Sequence, residues 1–364
     1  MPTVLMTGFP GFLGSQLLPR VLHRDADLSA VCLVQERYRS LAEQRLAELS
    51  AAHPAIGGRV RLTNGDITVP GLGLDAAERA DLEGNVAEIY HLAAVYDLST
   101  PRAFAWKVNV EGTRNVLELA GACKGFQRLQ YVSTCYVSGR YSGIFRETDL
   151  QVGQVFNNYY EETKYHAEIA VQEAIKGGLP ATVYRPSIVV GDSHTGETQK
   201  YDGPYYALQL IARQGKRAFM PVAGDPSAYR HNIVPRDFII ESISALGAED
   251  DTIGRTFHLA DPAPLTVKEE FQLFADTFGK KLILVPCTRG LAKFGIDHVP
   301  GVYRLMKAPA STIDYLTQPT HYDTALTTPV LAKLGIECPP LPSYAAALVS
   351  FYQAHPDISS AAMI

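Results

Sequence analysis

Short apolar runs alternate with amphipathic stretches over the first two-thirds of the chain. Thr3–Thr7, Ala30–Val34, Val60–Asn64, Ala87–Leu92, Leu129–Thr134 and Ala181–Pro186 are rich in β-branched residues and apolar on both faces. That is what strands buried on both sides require. Between them, Gly11–Val21, Leu41–Leu49, Lys107–Cys123 and Tyr159–Lys176 carry helical spacing. Strands and helices in alternation predict an α/β fold with βαβ units, a Rossmann-type doubly wound parallel sheet.

Past Arg185 the pattern loosens. Residues 192 to 230 mix Gly, Pro, Tyr and charge with little period. Asp237–Leu246 then reads as a helix and Thr256–Leu259 as a strand, and from Pro264 onward helical pieces are broken by prolines. The pattern divides the chain in two. Residues 1–191 with 236–263 form a nucleotide-binding part, and residues 192–235 with 264–364 form a smaller, mostly helical substrate region. The apolar stretch Ser343–Phe351 reads as a terminal helix too short to span a bilayer.

Composition narrows the setting. A net charge of -5 offers no basic face and argues against nucleic acid as a partner. Five cysteines without a CxxC pair read as reduced thiols. No metal site is assigned. The glycine-rich stretch described next follows the first residues directly, leaving no room for a signal peptide, and no apolar run reaches the roughly 20 residues of a membrane span. The expected location is cytoplasmic.

Thr7-Gly8-Phe9-Pro10-Gly11-Phe12-Leu13-Gly14 stands between the first strand and the first helix. Gly8 permits a sharp turn, Gly11 lets the backbone approach a pyrophosphate, and Gly14 lets helix and strand pack closely. The helix N-terminus then presents N–H groups and a positive dipole end to the phosphates. At the end of the second strand the chain reads Val34-Gln35-Glu36-Arg37-Tyr38-Arg39. Glu36 could bond the ribose hydroxyls of NAD, while Arg37 and Arg39 could hold the 2′-phosphate of NADP. Two guanidinium groups favour NADPH, with NADH as the other choice. Asp66 and Ile67 could meet the adenine. Leu92, Ala93 and Ala94 are small enough to let a cofactor lie against the sheet edge, and His91 beside them reads as structural.

Tyr160 and Lys164 stand at i and i+4 on one helix face. A phenol has a pKa near 10, too high for easy proton exchange, and a nearby ammonium is expected to lower it. Tyr160 could then protonate a carbonyl oxygen as hydride arrives. Upstream, a strand ends in Val132-Ser133-Thr134. A hydroxyl there lies where open α/β sheets bind ligands, and Thr134, ahead of Ser133, is the expected partner of the substrate oxygen.

These elements resemble an extended short-chain dehydrogenase/reductase over about the first 265 residues. The resemblance rests on the glycine loop, Asp66-Ile67, His91–Ala94, Asn109 in NVEGT, the VST strand end, Tyr160/Lys164 and Tyr184-Arg185-Pro186-Ser187. His91–Leu98 and Asn232-Ile233-Val234-Pro235 are most similar to the branch holding fatty acyl-CoA reductases of the male sterility type and thioester reductase domains. The resemblance implies that Asn109 supports Lys164 through a water and that Pro186, Ser187 and Ile188 pack beside the nicotinamide. Homodimers are common in the superfamily. Gln35 stands where this branch often carries an arginine.

The resemblance implies an NAD(P)-dependent enzyme, and reduction of an acyl thioester to aldehyde or alcohol is the leading reaction. No carrier or adenylation domain is recognisable in these residues, which points to a free acyl-CoA or a carrier in trans. A carbonyl reductase or alcohol dehydrogenase acting on a hydrophobic small molecule, a nucleotide-sugar epimerase or dehydratase, and a non-catalytic dinucleotide sensor are the alternatives. In the substrate region, Tyr201–Tyr206 could line a pocket, and Arg213, Lys216 and Arg217 could meet phosphates.

Overall fold

The computed structural model describes residues 2–97, 100–288 and 312–359, together with 290 and 298. Its centre is a seven-stranded, wholly parallel sheet. The strands are β1 (Thr3–Thr7), β2 (Ser29–Val34), β3 (Val60–Asn64), β4 (Val86–His91), β5 (Arg128–Val132), β7 (Ala181–Pro186) and β11 (Thr256–Leu259), in the spatial order β11-β7-β5-β4-β1-β2-β3. Short strands β6 (Gly143–Phe145), β8 (Ile188–Val190), β9 (Arg217–Ala223), β10 (Ile233–Pro235), β12 (Lys281–Cys287) and β13 (Thr320–Tyr322) pair in parallel outside it, as β6 with β13, β8 with β10 and β9 with β12.

The alternation of side chains along each strand explains the two helical layers. Val4 and Met6 pack with Leu17, Leu18 and Val21 of helix α1 (Phe12–Leu22) and with Ile239 and Ile243 of a helix over Arg236–Leu246. Leu5 points the other way, with Ile89, into a cluster holding Leu82, Val116, Leu119, Ala167 and Val171. Those residues belong to helices over Ala76–Asn85, Gly112–Ala122 and Tyr159–Lys176. The inner strands are therefore covered on both faces, as a continuous apolar run predicts, whereas the edge strand β3 (VRLTN) is only partly covered and leaves Arg61 and Asn64 exposed.

The last of these helices starts and stops at its sequence signals. The Asn158 side chain caps the N-terminus by accepting from the Glu161 N–H, and Gly177 follows the last turn. The predicted helix over 107–123 is less regular than its period suggests. It begins at Arg102, and a π turn over Lys107–Glu111 precedes the regular Gly112–Ala122 segment.

A third cluster fills the region past Val190. Tyr205, Leu208 and Ile211 of a helix over Tyr205–Arg213 meet Phe271 and Phe274 of the helix Val267–Thr277 and Tyr344 and Leu348 of the helix Leu341–Ala354. The region is helical with a β9–β12 pair running through it. Strand order reverses between β1 and β4, and there the loop after β1 faces the end of β4 across a crevice at the carboxyl edge, the usual ligand position in such sheets.

Candidate active site

The crevice opens into one cavity of about 1140 Å³ that runs from the glycine loop to the third cluster. Thr7, Gly8, Phe9, Gly11, Phe12, Leu13 and Gly14 line its first wall. Gly8 has φ +90, and a Cβ on it would sit 2.9 Å from the Ala93 nitrogen. A Cβ on Gly14 would sit 2.6 Å from the Gly8 oxygen. The cradle is thus built to a backbone that only glycine can occupy, and it opens onto the first turn of α1.

A chain of hydrogen bonds fixes the facing wall. The Ala93 N–H donates to Thr7 Oγ1 at 3.2 Å, Thr7 Oγ1 lies 2.7 Å from His91 Nδ1, and His91 Nε2 lies 3.0 Å from Thr113 Oγ1, which donates to the Asn109 oxygen. One proton sense satisfies every link: Thr7 donates to Nδ1, and the neutral imidazole donates from Nε2. Burial, with Lys164 adding to it, pulls the His91 pKa down to about 3, so the ring stays neutral. His91 is a brace, and Leu92, Ala93 and Ala94 line the cavity beside it. Leu98, the last residue of that stretch, lies outside the described residues.

Gln35 and Arg37 line the cavity, and so does Ile67; Asp66 lines an adjoining depression with Gln35 and Arg37. The Asp66 carboxylate accepts from the Thr68 N–H at 2.8 Å. Arg39 does not reach either space. Its guanidinium is turned to Glu43 at 2.7 Å, the Leu62 carbonyl oxygen and Asn64. Arg45 lines the cavity in its place. Glu36 is also committed elsewhere, accepting from Asn64 Nδ2.

Thr134, Tyr160, Lys164, Pro186, Ser187 and Ile188 come together midway along the cavity. The Thr134 hydroxyl accepts from the Tyr136 N–H at 3.2 Å and points to the Pro186 carbonyl oxygen at 3.4 Å, on the same wall as the Tyr160 phenol. Ser133 is directed inward instead and donates to buried Glu168. The Lys164 ammonium is buried and donates to the Tyr131 hydroxyl at 3.0 Å and the Val132 carbonyl oxygen at 2.8 Å. Asn109 does not line the cavity. Its amide accepts from the Val95 N–H and donates to the Val95 oxygen and Thr163, so it positions the segment after β4 and the helix of Tyr160. It makes no direct bond to Lys164.

One electrostatic expectation is reversed. The Tyr160 phenol lies above its ordinary pKa rather than below it. Burial pushes that phenol up to about 12, against the lowering effect of the Thr134 hydroxyl. Burial also pulls Lys164 down to about 7, opposed by the Glu168 carboxylate one turn on. The reason is that both groups lose water together, while the ammonium spends its donors on Val132 and Tyr131. At neutral pH Tyr160 is a held proton.

The glycine cradle, the crevice at the strand reversal and a buried Ser187 hydroxyl without a partner among the described residues all suit a dinucleotide. The sequence profile of the NAD-binding family described as male sterility protein matches residues 6–243. The chain belongs to this family. As a male sterility family member it carries an NAD(P)-binding domain of the extended short-chain dehydrogenase/reductase fold.

It is 32% identical over 271 residues to a linear gramicidin synthase of Brevibacillus parabrevis, covering 71% of this chain and 5% of that protein. It is 26% identical over 276 residues to the fatty acyl-CoA reductase wat of Drosophila melanogaster, covering 66% of this chain and 53% of that one. Among solved structures, the terminal R domain of the myxalamid PKS-NRPS biosynthetic pathway superposes with a TM-score of 0.82 at 28% identity, over 98% of this chain and 92% of that one. The chain thus spans about half or less of the length of these curated relatives.

The substrate side differs from expectation in detail. Asp202, Gly203, Pro204 and Tyr206 line the cavity, but Tyr201 and Tyr205 belong to the core. Arg213, Lys216 and Arg217 are not among the lining residues; Lys200 is, 2.6 Å from Asp202. His231 and Glu270, paired at 2.7 Å, line the far end and carried no sequence signal, being separated in the chain. Arg45 did carry one. Tyr38, Leu41 and Arg45 share a helical face at i, i+3 and i+7, and all three line the cavity. Among the described residues, no helix is long and apolar enough to cross a membrane.

Proposed function

We propose that the chain reduces an acyl thioester, free as acyl-CoA or carrier-bound, with NADPH to an aldehyde or alcohol. The observation that carries this is the Thr134–Tyr160 pair, set midway along a single cavity with a glycine cradle at one end and an apolar chamber at the other. The relatives support it: a fatty acyl-CoA reductase and a carboxylic acid reductase are similar to the chain in sequence, and the R domain of an assembly line shares its fold.

Bound NADPH would supply the hydride. The glycine loop, Leu92–Ala94 and Pro186–Ile188 would hold the dinucleotide. Arg37 and Arg45 would take its 2′-phosphate, which favours NADPH over NADH because Glu36 is turned to Asn64. The thioester oxygen would sit between Thr134 and Tyr160. As the carbon gains hydride, Thr134 donates a hydrogen bond to the growing oxyanion and Tyr160 passes it a proton. The carbon–sulfur bond then breaks, releasing thiol and aldehyde. Lys164, buried at the base of this group, ties the helix to the end of β5, and the third N–H of its ammonium would hold the nicotinamide ribose.

In this reading residues 1–191 with 236–263 bind the dinucleotide and residues 192–235 with 264–364 shape the acyl chamber. Incubation with NADPH and acyl-CoAs of increasing length, following nicotinamide absorbance and free thiol together, tests the reaction.

A further inference from the structure

The far end of the cavity holds a charged pair that the proposed reaction does not use. His231 Nδ1 lies 2.7 Å from Glu270 Oε2, and His231 Nε2 lies 3.1 Å from the Tyr315 carbonyl oxygen. Both ring nitrogens face acceptors, and only the imidazolium has two N–H groups to satisfy them. Burial acts against the charged ring, but Glu270 and the Tyr315 carbonyl outweigh it and raise its pKa.

Glu270 is left with a second oxygen. Oε1 is buried and has no hydrogen-bond partner among the described residues. The walls around it are apolar: Leu210, Met220 and Phe271 share one hydrophobic cluster and line the cavity, and Leu316 packs against them. A hydrocarbon chain filling this end would leave a carboxylate oxygen unpaired, which is destabilising. A ligand carrying a donor would complete it. The His231 cation already balances the Glu270 charge, so a neutral donor fits better than an ammonium, which would add an unbalanced charge to a buried wall.

Tyr315 connects this end to the reacting centre. Its carbonyl holds His231, its ring meets that of Tyr136 at 5.0 Å between centroids, and its hydroxyl accepts from Asn158, the cap of the helix carrying Tyr160.

We propose that Glu270 determines substrate choice, its free oxygen receiving an O–H or amide N–H of the acyl group, so that the cavity takes acyl thioesters bearing a hydroxyl or amide rather than plain hydrocarbon chains. The inference rests on the thioester reading above.

S-alkyl CoA thioethers, which cannot be reduced, test it by calorimetry in the presence of NADP. Each plain thioether is compared with one of equal length carrying a single hydroxyl or amide, moved along the chain position by position. At one position the donor-bearing ligand binds wild-type protein about tenfold tighter, the size of one hydrogen bond to a charged group. In Glu270→Leu the two ligands bind within about twofold of each other, while NADP affinity and cooperative melting are retained. Equal affinities at every position in the wild type overturn the proposal, whatever the variant does. So does a preference that survives in Glu270→Leu, or an ammonium ligand that outbinds the neutral donors. Absence of binding by any thioether overturns the thioester reading as well, which separates the two failures.

Discussion

Lys164 Nζ donates to the Val132 carbonyl oxygen at 2.8 Å, tying the helix of Tyr160 to the end of strand β5. The ammonium is stripped of water by this position, and its pKa falls to about 7. The unfolded chain keeps that proton to about 10.4. Between these values the unfolded state binds more protons than the folded one, so stability rises with pH across this window. The cost of burying the ammonium is complete below about pH 7 and fades towards pH 10.

Lys164→Met removes this titration along with the charge. The difference in Tm, variant minus wild type, is therefore expected to be most positive near pH 6 and to decline towards pH 10, while turnover is lost. Melting curves of both proteins across that range check it. A difference that stays flat with pH would mean that Lys164 keeps an ordinary pKa in the folded protein.

Gly8 carries the backbone strain of the cradle. At φ +90 with Ala93 and Leu92 against the missing Cβ, Gly8→Ala is expected to destabilise the protein by about 1–3 kcal/mol and to weaken dinucleotide binding. Denaturant unfolding and a dinucleotide titration measure the two effects. Gly84→Ala is the control: nothing lies within 4 Å of its added Cβ, and its helix should hold or gain stability.

Three arginines near the second strand should separate by function. Arg37→Ala and Arg45→Ala each remove a basic side chain that lines the cavity, paired there with Gln35 and Glu48, and should raise KM for NADPH about tenfold or more, with little change for NADH. Arg39→Ala should leave the NADPH to NADH ratio unchanged, since its side chain serves Glu43 and Leu62. Steady-state kinetics with both cofactors decides the matter, and a wild type that prefers NADH would remove the basis for the choice.

The central sheet and the helix Tyr159–Lys176 were legible because their signals are local: runs of apolar residues for the strands and helical spacing for the helix. The β9–β12 pair was not. Strand β9 reads RAFMPVA, and its Pro221 argues against a strand; it is tolerated because the ribbon has only two strands. Its partner is distant in sequence, so no short-range pattern announces it. The candidate site divides the same way. Tyr160, Lys164 and Thr134 follow from spacing and strand ends, whereas the Arg39-for-Arg45 exchange depends on how the α2 helix (Arg39–Ala52) rotates over β3. The phenol's raised pKa and the His231–Glu270 pair depend on burial and tertiary packing, which spacing does not encode.

The most direct test follows NADPH oxidation and thiol release together with a panel of acyl-CoAs, in wild type, Tyr160→Phe and Thr134→Val. The account predicts thiol released in step with the first equivalent of NADPH. It predicts a fall in kcat of about 10²-fold or more in both variants, with NADPH affinity preserved. NADPH oxidation without thiol release, or a Tyr160→Phe variant as active as wild type, would contradict it.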